Sequence, residues 1–229
     1  MLACQNNKEM SNELLLGQGI SYYDDKEYEK AIHSFTKVIN NSTVTDTNLA
    51  IAYCARGLVY DALKEYSNAI SDNSKAIEIN PNDAYAYYNR GIVYGKLQEY
   101  SKALSDYYKA IEINPNYADA YNGRGNIYND LKEYSKAIID FNKALEINPN
   151  HSFAYNGRGI VYVSLDEYTK AISDINKAIE INPNYAEAYN NRGVAFMLSG
   201  NKFKACEDWH EAYSLGYTKV KSFLDEYCK

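Results

Sequence analysis

Residues Ala84–Tyr117 read AYAYYNRGIVYGKLQEYSKALSDYYKAIEINPNY, and the chain repeats this segment twice more, with 20 and 23 of its 34 positions unchanged. The copies are ADAYNGRGNIYNDLKEYSKAIIDFNKALEINPNH over Ala118–His151 and SFAYNGRGIVYVSLDEYTKAISDINKAIEINPNY over Ser152–Tyr185. Self-similarity at a period of this length is typical of an array of stacked units. All four prolines of the chain follow the same 34-residue spacing: Pro81, Pro115, Pro149 and Pro183.

Each unit predicts a pair of antiparallel helices. Apolar residues three and four apart predict a first helix near Ala84–Leu97 and a second near Ser101–Ile113. The turn at Gln98–Tyr100 is too short for any other connection. Pro115 ends the second helix, because proline and the residue before it leave the helical conformation. We expect Asn116 to act as the N-cap of the next helix, with an acidic residue three positions later.

The repeated residues resemble the signature of the tetratricopeptide repeat. Its aromatic, glycine and tyrosine positions match Tyr121, Gly125 and Tyr128, and its second-helix and closing positions match Ala137, Phe141, Ala144 and Pro149. One position departs from the pattern, since Arg124 stands where the family often has leucine. The resemblance implies an all-α fold, a right-handed α-solenoid of about six helical hairpins with a C-terminal capping helix.

The domain boundaries follow from the repeats. Residues 1–11 form a polar leader, residues 12–219 form the six-repeat array, and residues 219–229 form the capping helix, with Val220, Phe223, Leu224 and Tyr227 on one apolar stripe. The predicted repeats are 12–49, 50–83, 84–117, 118–151, 152–185 and 186–219.

The composition argues against a nucleic-acid partner and against a transmembrane segment. The net charge is −6, and a phosphate backbone requires a clustered basic surface, so no nucleic acid is expected. No run of 18 apolar residues is present, so no transmembrane segment is expected.

Arginine and aspartate recur at the repeat period. In five of the six repeats an arginine precedes the mid-helix glycine of the first helix and an aspartate recurs on the second helix, which predicts a ladder of ion pairs rather than a basic stripe for ligands. The positions are Arg56, Arg90, Arg124, Arg158 and Arg192, and Asp72, Asp106, Asp140, Asp174 and Asp208.

The sequence contains no constellation of catalytic residues. The three histidines, His33, His151 and His210, fall in different repeats, and no phosphate-binding glycine loop or metal-ligand spacing is present. We therefore expect no enzyme activity, no cofactor and no metal site.

The resemblance also implies where a partner would bind, because the first helices of this family line the concave side of the array. Residues there that serve neither packing nor turns are the candidate peptide-binding groove. An asparagine row can hydrogen-bond to an extended peptide, and aromatic residues can grip its apolar side chains. The candidates are Tyr85, Tyr88, Asn89, Asp119, Asn122, Asn126, Asn129, Phe153, Asn156 and Asn190. The lysines with which some members clamp a chaperone's C-terminal carboxylate are missing, since Tyr88 and Asn122 occupy matching positions.

Three functions remain open at this point. The first is a cytoplasmic, non-enzymatic scaffold that binds an extended peptide or a partner helix of another protein in the concave groove. The second is a lipid-anchored protein of a bacterial envelope with a structural or assembly role, because Met-Leu-Ala-Cys at residues 1–4 resembles the end of a lipoprotein signal and makes Cys4 a candidate lipidation site. The third is an RNA-binding helical repeat, for which the groove has few basic residues.

The cysteines leave one question open. Cys206 occupies a position that holds isoleucine or leucine in other repeats, so it is interpreted as a small buried apolar residue. A disulfide with Cys228 would require the last helix to fold back and an oxidising compartment.

Overall fold

The structure is a computed structural model that describes residues 2–228, and the side chains of residues 12–228. The candidate lipidation site Cys4 lies outside the residues whose side chains are described. The described chain is all-helical, without a β-strand, and it forms two compact units that meet in sequence at Pro115 and Asn116. Each unit contains three helical hairpins.

The first unit contains three hairpins of consecutive helices. Their bounds are α1 Leu2–Asp24 and α2 Tyr28–Ile39, α3 Asp46–Ala62 and α4 Tyr66–Ile79, and α5 Ala84–Lys96 and α6 Tyr100–Ile113.

The second unit also contains three hairpins, followed by a short cap. Their bounds are α7 Ala118–Asp130 and α8 Tyr134–Ile147, α9 Ser152–Ser164 and α10 Tyr168–Ile181, and α11 Ala186–Leu198 and α12 Lys202–Ser214. A 3-10 helix at Thr218–Val220 then leads into α13, Lys221–Tyr227. The predicted hairpin helices of Ala84–Tyr117 are confirmed to within one residue at each end.

Each hairpin packs a glycine of its first helix against a large residue of its second. A Cβ atom added to Gly125 would lie 3.0 Å from Cε1 of Phe141, whose ring is fully buried. The same place on the second helix holds Phe35, Asn73, Tyr107, Ile175 and Trp209 in the other hairpins. Glycine is therefore needed at this position because the large side chain fills the space that a Cβ would occupy.

The prediction that Asn116 caps the next helix is wrong. Helix α7 begins at Ala118, and its N-cap position is Tyr117, whose side chain makes no capping hydrogen bond. The helix therefore begins one residue later than the cap prediction required. The acidic residue of the expected capping box, Asp119, instead accepts a hydrogen bond from His151.

Each hairpin turns through a residue with positive φ. Lys26, Lys64, Gln98, Lys132 and Asp166 have φ between 59° and 62°, and Gly200 has φ 88° at the corresponding place of the last hairpin. A left-handed residue after a helix lets the last turn close its hydrogen bonds and reverse the chain. In the turn after α5, for example, the amide of Glu99 donates to the carbonyl of Tyr94 at 2.9 Å.

The exit from the first hairpin is ordered by side chains. Thr45 caps α3 by accepting a hydrogen bond from the amide of Asn48, so the helix begins at Asp46, four residues before the predicted start of the second repeat. The side-chain Nδ2 of Asn41 donates to Oδ1 of Asn12 at 2.9 Å, and this bond ties the exit loop to α1. The extra residues therefore form part of the folded unit.

The predicted apolar stripe of the C-terminal cap is confirmed. Val220 is fully buried, and Phe223 stacks on Trp209 of α12 with ring centroids 5.0 Å apart. Leu224 and Tyr227 pack against the same cluster. The cap thus covers the apolar face of the last hairpin, as the end of a stacked array requires.

Candidate functional site

The periodic arginines are bound within their own hairpins. In each of five hairpins the guanidinium donates from Nε and Nη2 to both carboxylate oxygens of the aspartate 16 residues later, at 2.6–2.9 Å. These bidentate pairs are largely buried, and the side chain of Asp140 is only 4% exposed. The hydrogen bonds that Arg56 donates to Asp72 raise the pKa of Arg56, against the opposing effect of burial. The predicted ion-pair ladder is confirmed, and these arginines form no basic stripe for an anionic ligand.

The ten predicted groove residues are distributed over both units. The first unit holds Tyr85, Tyr88 and Asn89, and the second unit holds the other seven. Tyr85 and Phe153 are well exposed, as are Asp119 and Asn126, whereas Tyr88, Asn122, Asn129 and Asn190 are half-buried. Two of the ten, Asn89 and Asn156, are each only 3% exposed.

The prediction that Asn89 and Asn156 face outward is therefore wrong. The amide of Asn89 donates to Sγ of Cys54 at 3.3 Å, and this bond links α5 to α3. The amide of Asn191 donates to Oδ1 of Asn156 at 3.0 Å, and this bond links α11 to α9 at the equivalent place of the second unit. Both residues are buried because they join the first helices of neighbouring hairpins.

Five of the predicted residues line one cavity in the second unit. This cavity of about 380 Å³, here called the amide cavity, lies along α7, α9 and the start of α11. Asn122, Asn126 and Asn129 of α7 form one wall, and Phe153 and Asn156 of α9 form another. Its remaining lining includes Asp130, Ile160, Tyr185 and Glu187.

Two side-chain oxygens beside this cavity lack a hydrogen-bond partner among the residues that the structure describes. They are Oδ1 of Asn122 and Oδ1 of Asn129. Buried polar atoms in folded proteins are nearly always paired, so an unpaired one calls for a physical explanation. Both oxygens are themselves closed off from solvent, so they reach a ligand in the cavity only when rotation of the terminal amide exchanges its oxygen and nitrogen.

An aromatic cluster forms the rim of the amide cavity. Phe153 meets Tyr185 edge-on at 5.1 Å between ring centroids, and Nδ2 of Asn156 donates to the Tyr185 hydroxyl at 3.2 Å. Burial, with a smaller contribution from Glu187, raises the pKa of Tyr185, so its hydroxyl stays protonated at neutral pH. His151 holds the N-terminus of α9: its Nδ1 accepts from the amide of Ala154, so its Nε2 donates to Asp119.

The amide cavity is acidic as well as polar. Glu187 is exposed at its edge and Asp130 is part of its lining, although burial raises the pKa of Asp130 and so opposes its ionisation. No lysine, arginine or histidine is among the residues that line it. The cavity therefore offers hydrogen-bonding amides and negative charge, with no counter-charge for an anionic ligand.

A second cavity, in the first unit, was missed by the sequence reasoning apart from one residue, Tyr85. It measures about 360 Å³ and is lined mainly by apolar side chains of α1 and α3, among them Ile20, Tyr23, Ile51 and Leu58. We call it the apolar cavity. The correspondence between α1 and the first helices of the later repeats could have revealed this cavity. The longer exit of the first repeat hides that correspondence in the sequence.

The cysteines show the pairing that the sequence left open. Cys206 of α12 and Cys228 form a disulfide, so the interpretation of Cys206 as a buried apolar residue is wrong. Cys54 is a free, buried thiol, and burial raises its pKa to about 12. A thiol with such a pKa is unreactive at neutral pH.

Two features are absent from the part of the chain that the structure describes. No group of three His, Cys, Asp or Glu side chains there is arranged to hold a metal ion. None of the helices described combines the length and apolar character that crossing a bilayer needs.

Comparison with known proteins gives the family. Family models of the tetratricopeptide repeat match residues 13–42, 50–83, 84–117, 118–151, 141–173 and 159–200. Heat shock protein STI1 of Saccharomyces cerevisiae is 37% identical over 65 residues, which make up 28% of this chain and 10% of that protein. Small glutamine-rich tetratricopeptide repeat-containing protein 2 of the same yeast is 37% identical over 81 residues, 35% of this chain and 18% of that protein. The chain thus matches less than a fifth of either relative's length.

A solved structure extends the likeness over nearly the whole chain. A tetratricopeptide repeat protein from Parabacteroides merdae is 23% identical, with a TM-score of 0.70, over 95% of this chain and 89% of that one. Repeats of this kind support interaction with other proteins, and their fold is typically that of a non-enzymatic scaffold. With family models matching most of its residues from 13 to 200, the chain belongs to the tetratricopeptide repeat family.

Proposed function

We propose that the chain is a non-enzymatic scaffold that binds an extended peptide of a protein partner in the amide cavity of its second unit. The peptide's backbone pairs with the side-chain amides of Asn122, Asn126 and Asn129, and an adjacent side chain rests on Phe153. The cavity's size, about 380 Å³, lies within the range of ligand-binding sites in proteins.

The observation that carries this proposal is the pair of unpartnered amide oxygens, on Asn122 and Asn129, beside an open cavity. A peptide backbone presents N–H donors and C=O acceptors at regular intervals, so it can pair with successive amides along one helix. The acidic residues Asp130 and Glu187 disfavour an anionic ligand such as RNA in the same place.

The test is selection of randomised nine-residue peptides, displayed on phage, against the whole chain, followed by anisotropy titrations of a selected, fluorescein-labelled peptide. The triple variant Asn122→Ala, Asn126→Ala, Asn129→Ala is expected to weaken binding at least about tenfold, because each lost hydrogen bond contributes about 0.5–1.5 kcal/mol. Asn150→Ala is the matched control, since Asn150 is an exposed asparagine in the loop before α9.

Two results would contradict the proposal. One is the absence of any enriched peptide. The other is a selected peptide that binds the triple variant as tightly as the parent chain.

A second candidate, an envelope protein with a structural or assembly role, is favoured by the disulfide between Cys206 and Cys228. Disulfides persist in oxidising compartments and are rare in the reducing cytoplasm. Alkylation of thiols in intact cells before lysis distinguishes the two locations: in the envelope Cys206 and Cys228 stay unlabelled, whereas labelling of both would place the chain in the cytoplasm.

A further inference from the structure

The two cavities occupy the same place in the two units. Three repeat periods of 34 residues make a shift of 102, and the four-residue insertion in the first repeat makes the shift 106 for α1. Under these shifts Ile51 and Leu58 of the apolar cavity correspond to Phe153 and Ile160 of the amide cavity. Asp24 corresponds in the same way to Asp130. The chain thus contains one site twice, built each time by the first helices of three successive hairpins.

The residues that differ change the chemistry of the site. Where the amide cavity has Asn126 and Asn129 on its first helix, the apolar cavity has Ile20 and Tyr23. Asn126 and Asn129 offer hydrogen bonds in the second unit. The corresponding wall of the first unit therefore offers dispersion contacts and apolar area instead.

Much of that apolar area faces water. Ile20 is 50% exposed, Ile51 is 43% exposed and Tyr85 is 46% exposed. Large apolar side chains grouped around a concavity are typical of an interaction site rather than of a monomer's solvated surface. The volume, about 360 Å³, accommodates one large aliphatic side chain together with the backbone beside it.

The acidic side chains around the apolar cavity favour a ligand that has a basic residue next to the residue in the cavity. Asp24 at the end of α1 and Asp83 before α5 both line the cavity, and no basic side chain does. Asp61 lies close enough to affect Tyr23, but it is paired with Lys96 at 2.7 Å. Asp83 caps α5 by accepting from the amides of Tyr85 and Ala86, so Asp24 is the carboxylate most available to a ligand.

We propose that the apolar cavity of the first unit binds a large aliphatic side chain of a partner peptide, with a lysine or arginine next to it in the peptide held by Asp24. The proposal rests on the proposed function, because it assigns the second subsite of a peptide-binding scaffold. The two equivalent cavities then differ in what they recognise: the apolar cavity recognises a side chain and its flanking charge, and the amide cavity recognises a peptide backbone.

The experiment uses the whole chain and exchanges apolar residues of the apolar cavity with the corresponding asparagines of the amide cavity. A peptide from the phage selection is made in three fluorescein-labelled forms, with its aliphatic residue intact, with that residue changed to serine, and with the neighbouring basic residue changed to glutamate. The readout is the ratio of dissociation constants between the serine and aliphatic peptides. We expect a ratio of about ten or more for the parent chain.

The variant Ile20→Asn, Tyr23→Asn gives the apolar cavity the residues of the amide cavity, and it is expected to bring that ratio close to one. The reciprocal variant Asn126→Ile, Asn129→Tyr is the matched control. It is expected to preserve the ratio. Asp24→Asn is expected to reduce the preference for the basic over the glutamate peptide about threefold, whereas Asp130→Asn at the equivalent place leaves it unchanged.

The failures are distinguishable. If no peptide is enriched, both the proposed function and this inference fail. If selected peptides lose affinity for the Asn122, Asn126, Asn129 triple variant but the ratio survives Ile20→Asn, Tyr23→Asn, only this inference is overturned. Self-association of the chain that the same double variant abolishes, measured by sedimentation, would overturn it in favour of a second copy as the occupant.

Discussion

Asp140→Ala lowers the free energy of unfolding by about 3–5 kcal/mol, because it leaves the guanidinium of Arg124 buried without its counter-charge. The Arg124 side chain is 12% exposed, and both carboxylate oxygens of Asp140 accept from it at 2.7 and 2.8 Å. The guanidinium also lies 5.5 Å from the ring centroid of Tyr121, so solvent cannot readily replace the lost carboxylate. Urea unfolding followed by circular dichroism measures the change.

The same helix supplies the control. Lys143 and Glu146 of α8 form an exposed ion pair at 2.9 Å, with side chains 39% and 70% exposed. Lys143→Ala is expected to cost less than about 0.5 kcal/mol, as exposed pairs usually do. The double variant Arg124→Met, Asp140→Leu is expected to regain most of the stability, because it removes both buried charges together. Equal losses for Asp140→Ala and Lys143→Ala would show that the ladder contributes no more than a surface pair.

Reduction of the Cys206–Cys228 disulfide is expected to lower the stability of the last hairpin and its cap by about 3 kcal/mol, as for a closed loop of about 20 residues. The bond joins cysteines 22 residues apart and fastens α13 over the aromatic face of α12. Trp209, the single tryptophan of the chain, lies in that face and is 2% exposed. Its fluorescence therefore reports directly on loss of the cap, as a red shift at lower urea concentration when reductant is present.

Cys228→Ser separates this effect from others of the reductant. The variant is expected to unfold, by tryptophan emission, at the lower urea concentration with or without reductant. Cys54→Ser provides the opposite control, since Cys54 is unpaired and the variant keeps its response to reductant. A parent chain whose tryptophan transition is the same in both conditions would show that α13 is held by its aromatic contacts alone.

Residues that recur at the repeat period were the most predictable from the sequence. Helical spacing and the Asn-Pro boundary placed the helices of Ala84–Tyr117 within one residue. The arginine and aspartate positions recur together, so a single geometric arrangement had to satisfy all of them, and pairing within the hairpin does so.

The site was predicted less accurately than the fold, because residues at the same position of successive repeats do not contact the same neighbours. Asn122, Asn156 and Asn190 occupy the same place, yet only Asn156 is fully buried. Its burial depends on the Tyr185 hydroxyl and on Asn191, which lie 29 and 35 residues away in the sequence. The place of Tyr185 is held by Asp83, Tyr117 and His151 in the preceding repeats, so the contact with Asn156 leaves no consistent periodic signal.

The remaining errors have a similar origin. The disulfide depends on how closely α13 returns to α12, which no local pattern of residues determines. The apolar cavity depends on α1, whose correspondence to later repeats is displaced by the longer exit. In both cases the decisive information is tertiary, and it concerns the ends of the array, where the repeats are least alike.

The ladder has a consequence for how such a chain can change in length. Besides its own aspartate, the guanidinium of Arg90 reaches back to Ser74, that of Arg158 to Asn142 and that of Arg192 to Asn176, each 16 residues earlier. Every bond thus spans only to the adjoining motif. Adding or removing one 34-residue segment in register would again place an arginine 16 residues before its aspartate and 16 residues after a side chain of the preceding motif. Interactions of this local kind make the number of motifs an evolvable property that the folding energetics does not oppose.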